Sequence, residues 1–353
     1  MVACKTFPII GSSFMVKNSA CVLSICIVLT TACTDVAEHE YLYTVGLNVF
    51  STGDLSHLSN FPVAAHARAI LTADDMLFVS GTDGFVHCYS TVTTDLLGEN
   101  QVGSPSTWGY TDMVFNPLRE TIYLAGSTGS ILELSIPDCT VIAEFSVCAS
   151  PIHLEVTSGT PGYLWVVDGT ENTISQVHLE DNEYCGSLSY GDQSAITAIE
   201  ASIYDDSLLV GTAMGFFRLE TSGPGNLRST FVSTSPADCR SLASIPGDSN
   251  FVAVIGFNDL SIGELCVYDD SMYLYPPQPF YNSVPLEGTY PLNASGSSGE
   301  YVYVLTCIGQ GISRLSSYRA GSDYGIEASV DVPGYPLDLK VSHEGRIYAL
   351  TYE

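Results

Sequence analysis

An apolar hairpin pattern that returns at a nearly constant interval constrains this 353-residue chain more than any other feature. In residues 121–135, TIYLAGSTGSILELS, an apolar run meets a glycine-containing turn and a second alternating run follows at once, which reads as a β-hairpin. The pattern comes back in residues 67–90, 151–179, 196–219, 241–268, 290–315 and 335–352; with residues 111–135 that makes seven copies. The apolar centres of the second strands are Phe78, Tyr123, Trp165, Leu209, Ala253, Tyr303 and Tyr348, at intervals of 45, 42, 44, 44, 50 and 45 residues. A single hairpin is marginal in water, so each copy has to pack against others. A fixed period of about 40–50 residues built from short strands is the signature of a β-propeller. Second strands such as Leu164-Trp165-Val166-Val167 are apolar on both faces, as a sheet between two neighbouring sheets requires.

The seventh copy stops at Glu353, after its second strand. Residues 50–70 lie over 134–154 without a gap, bringing Asp54 onto Asp138, Phe61 onto Phe145 and Val63 onto Val147. Residues 41–63 are therefore expected to supply the third and fourth strands of the last blade. The fold expected is all-β: a seven-bladed propeller over 41–353, closed by N-terminal strands that complete the last blade and leave no sheet edge open between the chain ends. No helix-period segment of useful length follows Cys33.

The first residues read differently. Lys17 precedes an apolar stretch, Ala20 to Leu29, and small residues lead to Cys33, the layout of an export signal in residues 1–32. Met15 is the more ordinary start, with 1–14 an extension. The stretch is too short to cross a bilayer comfortably, since that takes ~20 apolar residues. Leu29-Thr30-Thr31-Ala32-Cys33 resembles the lipobox of bacterial lipoproteins, which implies cleavage before Cys33, acylation of that cysteine and a tether over 33–40. Thr34, rather than Asp, then points to the outer membrane.

Charge removes one class of function. Lys and Arg total 11 against 39 Asp and Glu, a net charge of −28, and Lys340 is the sole lysine beyond Lys17. Such a surface repels phosphate backbones, so nucleic acid is not an expected partner.

Leu77-Phe-Val-Ser-Gly81, Ile122-Tyr-Leu-Ala-Gly126 and Tyr301-Val-Tyr-Val-Leu305 resemble the repeats of bacterial YVTN-repeat propellers, relatives of the WD-repeat propellers. The resemblance implies the propeller architecture over most of 41–353. Propellers host binding, scaffolding and several chemistries, so it does not select a ligand.

Propeller ligands commonly sit over the central channel, near the connections that feed each innermost strand. The residues of interest there are Arg68, Trp108, Tyr110, Asp112, His153, Arg240, Tyr290 and Tyr335. Arg68 and Arg240 are conspicuous in a chain short of cations and suit a carboxylate or a sugar hydroxyl. The aromatic residues suit stacking on a sugar or peptide. The alternative is that these residues cap the channel and pair with Asp112 or Asp338. His66 and His153 occupy nearby positions in successive copies and are a candidate base or ligand pair.

Past Cys33 there are seven cysteines: Cys88, Cys139, Cys148, Cys185, Cys239, Cys266 and Cys307. They show no metal-ligand spacing and read mostly as small apolar residues within blades. The acidic groups Glu180-Asp181-Asn182-Glu183, Asp205-Asp206 and Asp269-Asp270 fall in expected turns and match no calcium loop. No cofactor is expected, while a Ca²⁺ ion held by residues of different blades stays open.

No nucleophile elbow, P-loop or dinucleotide fingerprint occurs. The chain thus reads first as an exported, lipid-anchored monomer acting as a binding or scaffold module for an envelope protein, a peptide or a glycan. The alternatives are a propeller enzyme of lactonase or quinoprotein-like type working at the channel mouth, and a component of an outer-membrane assembly complex.

Overall fold

Each of the seven repeats forms a four-stranded antiparallel sheet, and the seven sheets are the blades of a propeller. The computed structural model describes residues 45–352 apart from 62, 64–65, 105–109, 127, 158, 160–161, 192–194, 203–206, 234–235, 246–250, 259–260, 270–283, 287–289, 297–300 and 320–324. No helix occurs among the described residues, and so none is long and apolar enough to cross a membrane. Residues 1–32 and the tether 33–40, with Cys33, lie outside the described residues.

We call the strands of a blade a to d from the innermost outward. The a strands are Ala67–Ala73, Tyr110–Asn116, Pro151–Thr157, Ile196–Ala201, Asp238–Ile245, Tyr290–Gly296 and Tyr335–Val341, in blades 1 to 7. Each touches the a strand of the next blade, and the last touches the first, so the ring closes. The opening hairpin of the sequence is the b–c pair of blade 2, Thr121–Gly126 against Ile131–Leu134, with Ile122 facing Leu134 and Leu124 facing Leu132.

Closure follows the pattern anticipated from the repeat. Blade 7 takes its a and b strands from Tyr335–Val341 and Arg346–Tyr352, and its c and d strands from Val45–Ser51 and His57–Phe61. Val45 pairs with Tyr352 and Ser51 with Arg346, so the register runs the whole length of both strands.

The core is not a single globule. Buried apolar side chains form seven clusters among the described residues, each drawn from two adjacent blades. Phe78, Tyr123, Trp165, Leu209, Ala253, Tyr303 and Tyr348 are all fully buried at 0% exposure, which is why an apolar residue recurs at that point of every copy. Leu47, Val49 and Phe61 from the N-terminal strands share a cluster with Ile70, Leu77 and Val79 of blade 1, while Phe50 and Leu55 pack with Tyr303 and Leu315 of blade 6. The N-terminal strands thus fill a gap between two blades rather than decorating an edge.

The cysteines behave as expected. Cys88, Cys139, Cys239, Cys266 and Cys307 are buried, Cys148 and Cys185 are half-buried, and all seven are free thiols. Burial pushes the Cys88 and Cys139 thiols up to about 12, so they are not thiolates at neutral pH. Glu180 to Glu183 form the c–d turn of blade 3. Asp205, Asp206 and Asp270 fall outside the described residues.

Candidate functional site: the wall of the central channel

All seven a strands carry the same irregularity. Near its N-terminal end each has one extra residue relative to its b strand: Arg68, Thr111, Ile152, Thr197, Arg240, Leu292 and Leu337. Such a bulge raises the local twist and re-aims the side chains around it. The sequence places Arg68, Asp112, His153, Arg240, Tyr290 and Tyr335 in connections leading to the a strands. The structure corrects this: all six belong to the a strands themselves, because bulged pairing extends those strands to the channel mouth.

A cavity of about 560 Å³ lies along the channel, walled by six of the seven a strands. Arg68, Thr111, Thr197, Arg240 and Leu337 stand at the bulge level. Asp112, His153, Ser241 and Asp338 follow. Glu155, Glu200 and Lys340 come two residues later, ~7 Å deeper along the strands. Leu71, Val114, Phe115 and Val156 add apolar surface.

Several of these side chains also tie blades together. Asp112 and Asp338, two blades apart across the ring closure, make the same bonds. Each Oδ1 accepts the following peptide N–H, from Met113 or Leu339, at 2.8 Å. Each Oδ2 accepts an N–H from the next blade's a strand, Leu154 at 2.9 Å and Ile70 at 3.0 Å. Thr111 and Thr197 donate to the carbonyls of Pro151 and Cys239, again in the next blade. Glu200 Oε1 accepts the Ser244 N–H at 2.8 Å. Otherwise unpaired strand N–H groups beside the channel are thereby satisfied.

Arg240 folds back onto its own strand, with Nη2 2.6 Å and Nε 3.1 Å from Asp238 Oδ2, and lies 5.7 Å over the Phe257 ring. Its partner is therefore Asp238, not Asp112 or Asp338. Arg68 is part of the cavity wall. His153 Nδ1 is 3.9 Å from Asp112 Oδ2, while His66 sits in the turn before Ala67–Ala73 and is not part of the wall. Tyr335 is exposed at the start of its strand and packs at a tilt against Tyr352, 5.3 Å between centroids. Trp108 and the side chains of Tyr110 and Tyr290 lie outside the described residues.

The deeper level is where charge is concentrated, and none of its members is among the site residues named from the sequence, although Lys340 stands out there as the sole lysine beyond Lys17. Burial opposes the charge of Lys340, but the carboxylates of Asp338, Asp112, Glu155 and Glu200 together outweigh it and push its pKa up. Burial, and then the neighbouring Glu200 carboxylate, hold the Glu155 carboxyl well above the usual range, so this pair retains a proton where isolated glutamates have lost theirs. Asp112 is raised by burial against the pull of Lys340 and His153, and His153 is lowered by burial against the pull of Asp112. The lining thus sets an imidazole and an ammonium among four carboxyl groups, of which those of Asp112 and Asp338 are anchored by peptide N–H groups.

Three solved structures show the fold in other proteins. The WD40 repeats of RRP9 superpose with a TM-score of 0.62 at 9% identity, covering 87% of this chain and 98% of that one. The β-propeller domain of Myceliophteria thermophila Cps50 (Swd1) gives 0.60 at 15% identity, covering 83% and 99%. The dihydro-heme d1 dehydrogenase NirN, solved in complex with DHE, gives 0.59 at 12% identity, covering 85% and 66%. No protein-family model and no curated protein sequence matches the chain. The class defined is a seven-bladed β-propeller, and identities this low establish the fold alone.

Proposed function

We propose that this chain is an exported propeller, tethered to a bacterial envelope through Cys33, that binds a protein, peptide or glycan at the mouth of its channel. The observation that carries the reading is the cavity of about 560 Å³ whose wall is charged and drawn from six blades. A volume within the ~300–1,000 Å³ of ordinary ligand pockets suits a small ligand or a single protruding group. Asp112 and Asp338 spend their oxygens on peptide N–H groups, which suits a fixed recognition surface better than proton transfer. The lipobox-like Leu29 to Cys33 and the repeats resembling YVTN propellers support the envelope location.

Two experiments test the parts separately. Cys33→Ser should move the protein from the membrane fraction to the soluble fraction of the expressing bacterium, since a single export signal without acyl chains leaves no stable anchor. Continued membrane association of the variant would remove the lipid anchor. Affinity capture from an envelope extract should recover a partner with the wild type and lose it with the Arg68→Ala/Arg240→Ala double variant. Equal recovery by both would take the mouth out of the reading.

A second reading, an enzyme of lactonase or quinoprotein-like type, is favoured by one feature. His153 and Asp112 approach to 3.9 Å in the cavity wall, which is also lined by the Glu155 carboxyl, held above its usual range by burial. That arrangement supplies an acid and a base, though no metal ligand set faces the cavity among the described residues.

A further inference from the structure

We infer that the deep level of the channel is a binding site for a neutral, hydroxyl-rich ligand, a sugar ring at the end of a glycan. This deepens the mouth-binding reading and commits to one of its ligand classes. The central observation is Lys340. Its side chain lines the cavity, and no hydrogen bond or ion pair joins its ammonium to any described residue. Its charge is balanced at a distance by carboxylates on blades 2, 3, 4 and 7. Three N–H donors are therefore aimed into a space that protein groups do not fill.

Acceptors face the same space. Glu155 spends one oxygen on the peptide N–H of Val156, at 3.1 Å, and no bond joins its second oxygen to a described residue. Glu200 lines the wall on the adjacent blade. Donor and acceptors thus stand around one cavity, which is the requirement of a hydroxyl, since a hydroxyl gives one hydrogen bond and accepts others.

Charge then selects among ligands. An anion would meet Lys340 but also the four carboxyl groups around it. A cation would meet those carboxyl groups but also the ammonium among them. A neutral polyol uses both without separating charge. Phe115, half-buried in the wall with Val114 and Val156, supplies an apolar surface for the C–H face of a ring. A site with polar groups on one side and an aromatic side chain on the other has the amphipathic lining a pyranose presents in reverse.

The test is saturation-transfer NMR on the full-length protein, with glucose, galactose, mannose, N-acetylglucosamine and their β-linked disaccharides as probes. L-Arginine and inorganic phosphate serve as the cation and anion arms. At least one neutral sugar should bind. Its Kd should rise at least tenfold in Lys340→Met and in Glu155→Leu. Ser241→Tyr, which puts a ring into the cavity while leaving every charge in place, should do the same. A cooperative thermal melt certifies each variant as folded. Binding of arginine or phosphate without any sugar overturns the inference, as does a panel with no binder or a sugar whose affinity ignores all three substitutions. Should sugars fail while Arg68→Ala/Arg240→Ala still abolishes partner capture, the mouth stands and only the glycan site falls. Sugar binding with capture unchanged in that double variant has the opposite meaning.

Discussion

A chain beginning at Asn60 should not unfold cooperatively and should aggregate. It lacks the c strand of blade 7, Val45–Ser51, and most of the d strand, His57–Phe61. With them go Leu47, Val49, Phe50 and Leu55, all 1–4% exposed. At ~1.5–3 kcal/mol for each such side chain, the loss is ~6–12 kcal/mol. That is the size of a whole domain's stability, ~5–15 kcal/mol. The hydroxyl of Tyr303 also loses its acceptor, the Thr52 carbonyl at 2.8 Å. The b strand Arg346–Tyr352 becomes a free edge, and a long apolar edge invites pairing with other chains. The check is a calorimetric or circular-dichroism melt with light scattering. A sharp transition at the midpoint of the full-length protein would mean that the N-terminal strands close nothing.

This closure was legible because two independent regularities converge on it. The apolar residue at the centre of each b strand keeps its spacing, since every one of them is sealed between two neighbouring blades. The gapless match of residues 50–70 with 134–154 then locates the missing strands at the other end of the chain. The first signal comes from burial, and the second joins the buried Phe61 to a shared turn in which Asp54 and Asp138 are both exposed.

The site was legible only in part, for the opposite reason. Arg68 and Arg240 drew attention as scarce cations, and His153 and Asp112 as chemically capable residues near the expected channel mouth. Lys340, Glu155 and Glu200 were passed over, although Lys340 is the sole lysine after Lys17. They stand past a bulge that shifts which side chains meet the channel. The bulged residues are Arg, Thr, Ile, Thr, Arg, Leu and Leu, so nothing in their chemistry announces the extra residue. The bulge recurs at the same place in all seven inner strands, so it belongs to the ring rather than to any one repeat. Strand alternation read straight through it assigns the facing residues wrongly. Aligning the seven a strands on their charged members, Glu155, Glu200 and Lys340 at one level, was the available signal.

Loss of the Glu133 carboxylate should be the most damaging single substitution among the polar groups that bind one blade to the next. Glu133, in the c strand of blade 2, is completely buried. Its Oε1 accepts from Thr121 Oγ1 at 2.9 Å, and its Oε2 accepts from Asn182 Nδ2 at 2.9 Å and lies 3.2 Å from Arg119 Nη1. Asn182, in the c–d turn of blade 3, also accepts from the Tyr123 hydroxyl at 2.7 Å, and that hydroxyl accepts from Asn116 at 3.1 Å. Every member is satisfied, and the bonds cross from one blade to the next. Glu133→Leu fills the volume but strands the buried Thr121 hydroxyl, the half-buried Asn182 amide and one guanidinium. Breaking a buried pair costs about 3–5 kcal/mol. Arg119 is 33% exposed, so water recovers part of its share and the lower end applies. At ~2–4 °C per kcal/mol for a large domain, the melting midpoint should fall by roughly 6–12 °C. Asn182→Ala alone should cost less, about 1–3 kcal/mol, because Glu133 keeps Thr121 and Arg119. The double variant should cost clearly less than the sum, since each change removes the same inter-blade bond. Strictly additive midpoints would show that blades 2 and 3 are held by their apolar cluster alone and that this carboxylate is incidental to the ring.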